Sequence, residues 1–302
     1  MELLLLIRRL LVFALLPLVL SACAGLFFQP YGAYVRTPAQ LGLDYQDVEI
    51  ETNDSVGLRA WFLPGSAPVC ATVLFLHGNA ENISTHIGSV YWLPARGFNV
   101  LLLDYRGYGA SSGTPSFAGI QADIEAAVRY LLGRTDVGRR RIVVFGQSLG
   151  AAAAIYYVAH SAHRTAIRAL IAESAFSGYA EIAREKMASF WLTWPFQWVP
   201  QLTVPTRYDP LAAVGGVSPI PLLIVHGEQD RIIPVEHGER LYAAAREPKE
   251  LWRVAGAGHI ETFTSERWRE RLVAYLRERV CPELPDSGRL RRDRADYAGA
   301  DR

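Results

Sequence analysis

The run Gly146-Gln147-Ser148-Leu149-Gly150 has the residue types and spacing of an activated serine. Before it, the β-branched, apolar Ile142-Val143-Val144-Phe145 reads as a buried parallel strand. After it, Ala151-Ala152-Ala153-Ala154 reads as a helix. A turn this tight between strand and helix leaves no room for side chains at positions 146 and 150, hence the two glycines. Ser148 is expected in a strained backbone conformation with its hydroxyl above the sheet. The amide of Leu149 opens the helix, where N–H groups favour an anion.

A serine hydroxyl is a weak nucleophile until a base takes its proton, and histidine titrates in the right range. Of the seven histidines, His259 follows the last strand in the Gly-rich loop Ala255-Gly256-Ala257-Gly258 and is the best candidate. His77 and His226 each precede a glycine directly after a strand and read as turn braces. His86, His160, His163 and His237 fall in helical contexts and read as surface residues. The base needs a carboxylate to hold its tautomer. Asp230 is the first choice, Glu173 the second, and Asp104 reads as a partner of Arg106 or a cap on loop amides. The oxyanion of an acyl-transfer intermediate needs two backbone donors. Leu149 supplies one, and Asn79, or Ala80 one residue on, the other.

These residues need elements to carry them. Buried runs end at Leu76, Leu103, Phe145, Ala172, Val225 and Val254, with helical segments between them. Such alternation predicts an α/β fold with a mostly parallel sheet flanked by helices. Ligands bind beyond the carboxyl ends of such strands, and His77, Asp104, Ser148, Asp230 and His259 all follow strand ends. Val48 to Glu51 and Leu58 to Leu63 read as an antiparallel hairpin at the sheet edge. Residues 178–216 interrupt the alternation and are read as a helical cap or a surface excursion. At helical spacing Trp191, Trp194 and Trp198 would share one face, expected to look down on Ser148 as an apolar wall.

Together, His77-Gly78-Asn79-Ala80-Glu81-Asn82, Asp104-Tyr105-Arg106-Gly107-Tyr108-Gly109, Gly146-Gln147-Ser148-Leu149-Gly150, His226-Gly227-Glu228-Gln229-Asp230 and Gly256-Ala257-Gly258-His259 resemble the motifs of the Bem46-like α/β-hydrolases. That group is related to serine aminopeptidases and protein depalmitoylases. The resemblance covers about residues 48–280. It implies an α/β-hydrolase fold, a triad of Ser148, Asp230 and His259 in the order that fold uses, and ester or thioester hydrolysis without a cofactor. It names no substrate, because the fold hosts many.

The two ends differ in composition. Arg8-Arg9, the apolar run from Leu10 to Leu20 and Ser21-Ala22-Cys23 describe an export signal. Leu20-Ser21-Ala22-Cys23 resembles the bacterial lipobox, which implies acylation of Cys23 and a lipid-anchored envelope protein. By resemblance to enteric lipoproteins, Ala24 rather than Asp at the next position implies outer-membrane sorting, facing the periplasm. The division expected is a signal at 1–22, a linker at 23–43, a hydrolase domain at 44–281 and a disordered tail at 282–302. In an oxidising compartment a disulfide between Cys70 and Cys281 is geometrically allowed, since both fall on the rim opposite Ser148. The net charge of +1 gives no reason to invoke nucleic acid, and no metal-ligand spacing is present. Two other classes stay open, an aminopeptidase holding a substrate ammonium on Glu181 or Glu185, and an idle binding protein.

Overall fold

The computed structural model describes residues 27–137 and 141–281. The expected signal at 1–22, Cys23 and the expected tail from Pro282 lie outside the described residues. Eight strands form one sheet: β1 Gln46–Glu51, β2 Gly57–Leu63, β3 Ala71–Leu76, β4 Phe98–Asp104, β5 Ile142–Gln147, β6 Ile167–Glu173, β7 Leu222–Gly227 and β8 Lys249–Val254. Their order across the sheet is β8-β7-β6-β5-β3-β4-β2-β1. Only β2 runs against its neighbours. Every residue of β3, β4 and β5 is buried, as continuous apolar runs in a doubly covered sheet require. The edge strand β1 instead alternates, with Val48 and Ile50 in and their neighbours out.

Side chains leave successive strand positions on opposite faces, and two cores result. Leu74, Leu76, Leu101 and Val144 pack with helices α1 (Phe117–Gly133), α2 (Leu149–His160) and α4 (Val235–Ala244). Val73, Phe75, Val100 and Phe145 pack with α5 (Glu266–Val280) and the short turn Ile83–His86. Helix α3 (Tyr179–Ala188) opens the insertion between β6 and β7, and short helical turns follow it to Gly216.

The expected linker is corrected over the described part of its span. Phe27 and Phe28 are buried in the core, where their rings meet Phe117 at 5.6 and 5.2 Å. Gln29–Pro30 pairs in parallel with Ala80–Glu81. Asn82 Nδ2 donates to the carbonyls of Tyr31 and Ala33, and the amide of Val35 donates to Ser84 Oγ. Buried aromatic area and satisfied backbone groups oppose the entropy that would have left this stretch free. On the far rim, Cys70 and Cys281 are joined as a disulfide with a Cα separation of 5.7 Å. The bond ties the start of β3 to the end of α5.

Candidate active site

Ser148 stands between β5 and α2 with φ 54° and ψ −115°. Such a backbone is rare for a side chain with a Cβ and persists only when its surroundings impose it. The surroundings do so here. A Cβ on Gly146 would lie 2.5 Å from the carbonyl carbon of Gly150, and one on Gly150 would lie 2.5 Å from the carbonyl oxygen of His77. Both glycines are therefore close approaches of backbone to backbone. The amide of Ser148 donates to the carbonyl of Glu173 (2.9 Å), which fixes the elbow to β6.

His259 Nδ1 lies 2.7 Å from Asp230 Oδ2. Oδ1 of Asp230 accepts from the amides of Ile232 (2.9 Å) and Ile233 (2.8 Å), so the carboxylate is oriented from both ends. Burial works against its charge, but the hydrogen bond and charge of His259, with those two amides, hold the carboxyl below the usual range. The loop carrying His259 crosses β7 at Gly227, where a Cβ would lie 2.5 Å from the carbonyl oxygen of Gly258. Among the described residues, the Ser148 hydroxyl makes no hydrogen bond to His259. In free enzymes that contact is often long and tightens with substrate.

Glu173, the alternative acid, is fully buried and serves other partners. It accepts from Gln147 Nε2 (2.7 Å) and from the amide of Thr262 (3.2 Å), bridging the end of β5 to the segment after His259. Burial pushes its carboxyl up, and the bonds from Gln147 and Thr262 offset part of that. Asp104 caps the amide of Ile83 (2.9 Å) and accepts from the Tyr34 hydroxyl. Its expected alternative partner, Arg106, instead binds Asp54 and Asp123.

His77 and His226 are fully buried braces, bonded to the carbonyls of Gly78 and Ile233 at 2.8 Å each. Burial, with the charge of His86, lowers the His77 ring to about 3. Burial also lowers His226, so both work as neutral rings at neutral pH. Two surface assignments are corrected. His237 is fully buried, held by Ser177 and Glu185. His86 is half-buried beside the elbow: a Cβ at Gly78 would meet both its ring (3.2 Å) and the Cβ of Ser148 (3.6 Å).

A cleft of about 140 Å³ opens over Ser148. Ser148, Leu149 and Asn79 line it together with the apolar Phe27, Phe176, Ile182, Ala183, Ile232 and Ile233, and Lys186. Leu149 is the first residue of α2, whose opening amides have no intrahelical partner. Asn79 is tied to the N-terminal segment through Gln29, whose amide donates to its Oδ1 (3.0 Å). The cap tryptophans are not part of this wall. Residues 189–198 form turns and one short 3-10 segment rather than a helix, because Pro195 and Pro200 interrupt it. Trp191, Trp194 and Trp198 point into solvent. The wall comes instead from α3, whose apolar positions 179, 180, 182 and 183 repeat at helical spacing, and from Phe27.

The family described as serine aminopeptidase, S33, matches residues 67–215. YfhR of Escherichia coli O157:H7, itself uncharacterised, is 38% identical over 246 residues, or 79% of this chain and 82% of that one. The α/β-hydrolase domain-containing protein WAV2 of Arabidopsis thaliana is 35% identical over 274 residues, covering 85% of this chain and 87% of that one. An esterase of Pyrococcus furiosus superposes with a TM-score of 0.69 at 26% identity, covering 83% of this chain and 99% of that one. On this sheet order, this elbow and these relatives, the chain belongs to the α/β-hydrolase family that includes WAV2 and is a hydrolase.

Proposed function

We propose that this protein is a serine hydrolase that cleaves acyl ester or thioester bonds through an acyl-enzyme, while tethered to a bacterial membrane by lipid on Cys23. The observation that carries the reading is the pairing of His259 with Asp230 at 2.7 Å on the rim where Ser148 is held at φ 54°. His259 Nδ1–H donates to Asp230, which leaves Nε2 as the base. Ser148 Oγ attacks the acyl carbon and its proton passes to Nε2. The amides of Leu149 and Asn79 receive the oxyanion. Nε2 then protonates the leaving alcohol or thiol, and a water repeats the sequence to release the acid.

The lining of the cleft favours acyl groups over free amino termini. An aminopeptidase needs an acidic group at the mouth, yet the charged side chain lining this cleft is Lys186. Glu181 and Glu185 are taken by Ser177, His237 and Arg240. An idle binding protein would have no use for a strained serine at the elbow.

One experiment addresses both halves of the proposal. Cells expressing the wild type, Ser148→Ala or Cys23→Ser are fractionated, and each fraction is treated with a fluorophosphonate probe and assayed with a thioester. Label and turnover are expected in the membrane fraction of the wild type and absent from Ser148→Ala. In Cys23→Ser they are expected to leave the mature membrane form. Labelled Ser148→Ala protein would refute the nucleophile, and mature, processed Cys23→Ser protein still in the membrane fraction would refute the anchor.

A further inference from the structure

The cap presents a surface that the cleft does not use. Within residues 190–202, Trp191 is 78% exposed, Leu202 76%, and Trp194 and Trp198 58% each, with Phe190 and Phe196 over half exposed. Exposed apolar residues are ordinary when scattered singly; so many in thirteen consecutive positions mark an interaction site. The composition narrows the partner. Tryptophan, apolar in body and polar at one edge, concentrates at the headgroup level of membranes. Between Lys186 and Tyr208 there is no carboxylate, and the two charged residues of the stretch, Lys186 and Arg207, are cations suited to anionic headgroups.

Chain geometry supplies an independent reason. The described chain begins at Phe27, whose ring meets Tyr179 at the start of α3 (5.4 Å) and lines the cleft beside Lys186 near the end of α3. The chain therefore reaches the domain on the cap side. Cys23 lies four residues earlier. Four residues span at most about 14 Å. This step rests on the tether of the proposed function: a lipid on Cys23 brings the bilayer surface within that distance of Phe27. The cleft itself is small, about 140 Å³ against the roughly 300–1,000 Å³ of most ligand sites. It can enclose only the part of an acyl group next to the scissile bond.

We infer that segment 190–202 is a membrane-docking surface, seated in the headgroup layer of an anionic bilayer, with the mouth of the cleft held against the leaflet. The substrate is then a membrane-resident acyl ester or thioester whose distal chain stays in lipid while its carbonyl reaches Ser148.

The test uses the full chain reconstituted in phosphatidylethanolamine–phosphatidylglycerol vesicles, some with dibrominated acyl chains. Brominated lipid is expected to quench the wild type, and Trp191→Phe/Trp194→Phe/Trp198→Phe should lose most of that quenching. Trp191→Glu/Leu202→Glu should hydrolyse a vesicle-embedded long-chain thioester about tenfold more slowly, the loss expected from about 1.4 kcal/mol of interfacial burial. Its rate on a water-soluble short-chain ester should stay at the wild-type level. Quenching that persists in the Phe variant would overturn the inference, as would an equal loss on both substrates or no loss on either. Tryptophans shielded from bromine, but blue-shifted as protein density rises, would assign the surface to a second copy of the chain and overturn it too. A wild type inactive on both substrates would instead refute the proposed hydrolase, whatever the quenching shows.

Discussion

At the scale of single residues, the site separates two carboxylates by their partners. Asp230 faces His259, whereas Glu173 joins Gln147 to Thr262. Asp230→Asn should therefore lower kcat by about 10³–10⁴-fold, because an amide cannot hold the imidazole tautomer that accepts the serine proton. Glu173→Gln should act mainly through positioning and cost far less. Steady-state kinetics on one short-chain ester would decide, and a more damaged Glu173 variant would reverse the assignment. Asp104 carries a different consequence. Burial pushes its carboxyl up to about 7, against the bonds from the Ile83 amide and Tyr34 hydroxyl that favour the ion. An acid raised on folding holds its proton more tightly in the fold than out of it. Its contribution to stability is complete below the ordinary value of about 4 and is lost as pH rises through about 7. Relative to Asp104→Asn, the wild type should lose unfolding free energy across that window. Parallel pH profiles in urea denaturation would show that Asp104 does not titrate there.

At the scale of elements, the site is assembled from pieces distant in the chain. The elbow joins β5 and α2, Asp230 and His259 follow β7 and β8, and one cleft wall comes from α3. The N-terminal segment closes the arrangement, since Phe27 lines the cleft and Gln29 holds the side chain of Asn79. Phe27→Ala should remove a ring that is both core and cleft wall. It is expected to cost about 3 kcal/mol of stability, as large-to-small core changes do. It should also raise KM for acyl esters more than it lowers kcat, because the ring touches the cleft and not the reacting atoms. Thermal melts paired with kinetics would check both, and a destabilised variant with unchanged KM would confine Phe27 to packing.

At the scale of the whole molecule, the candidate site and the covalent brace occupy opposite rims of one sheet. Ser148, Asp230 and His259 lie at the carboxyl ends of the strands, and the disulfide closes the other end. Cys70 and Cys281 are 211 positions apart. In the chain-entropy account, a loop that long confers about 5 kcal/mol by restricting the unfolded chain. Cys70→Ala/Cys281→Ala should lower the denaturant midpoint strongly while leaving kcat of the folded enzyme unchanged, because the bond lies far from Ser148. A midpoint equal to that of the wild type would show that the cross-link adds nothing to stability.

Much of this was legible in the order of residues, for local reasons. Gly146 and Gly150 flank Ser148 because a side chain at either would enter the neighbouring backbone, a constraint visible in five consecutive letters. The buried runs announce a doubly covered sheet, and a sheet of that kind places the ends of β5, β7 and β8 on one rim. Asp230 and Glu173 both stand at the carboxyl ends of strands, so their order in the chain could only rank them. The partner of His259 was decided by the paths of two loops, which cross at Gly227. Helical spacing puts the cap tryptophans on one face, but Pro195 and Pro200 break the helix that spacing requires. Phe27 and Phe28 sit in a stretch of prolines and glycines that composition reads as a free linker. Their burial depends on Phe117 and Tyr179, far along the chain, and such long-range contacts exist only once the tertiary fold has formed.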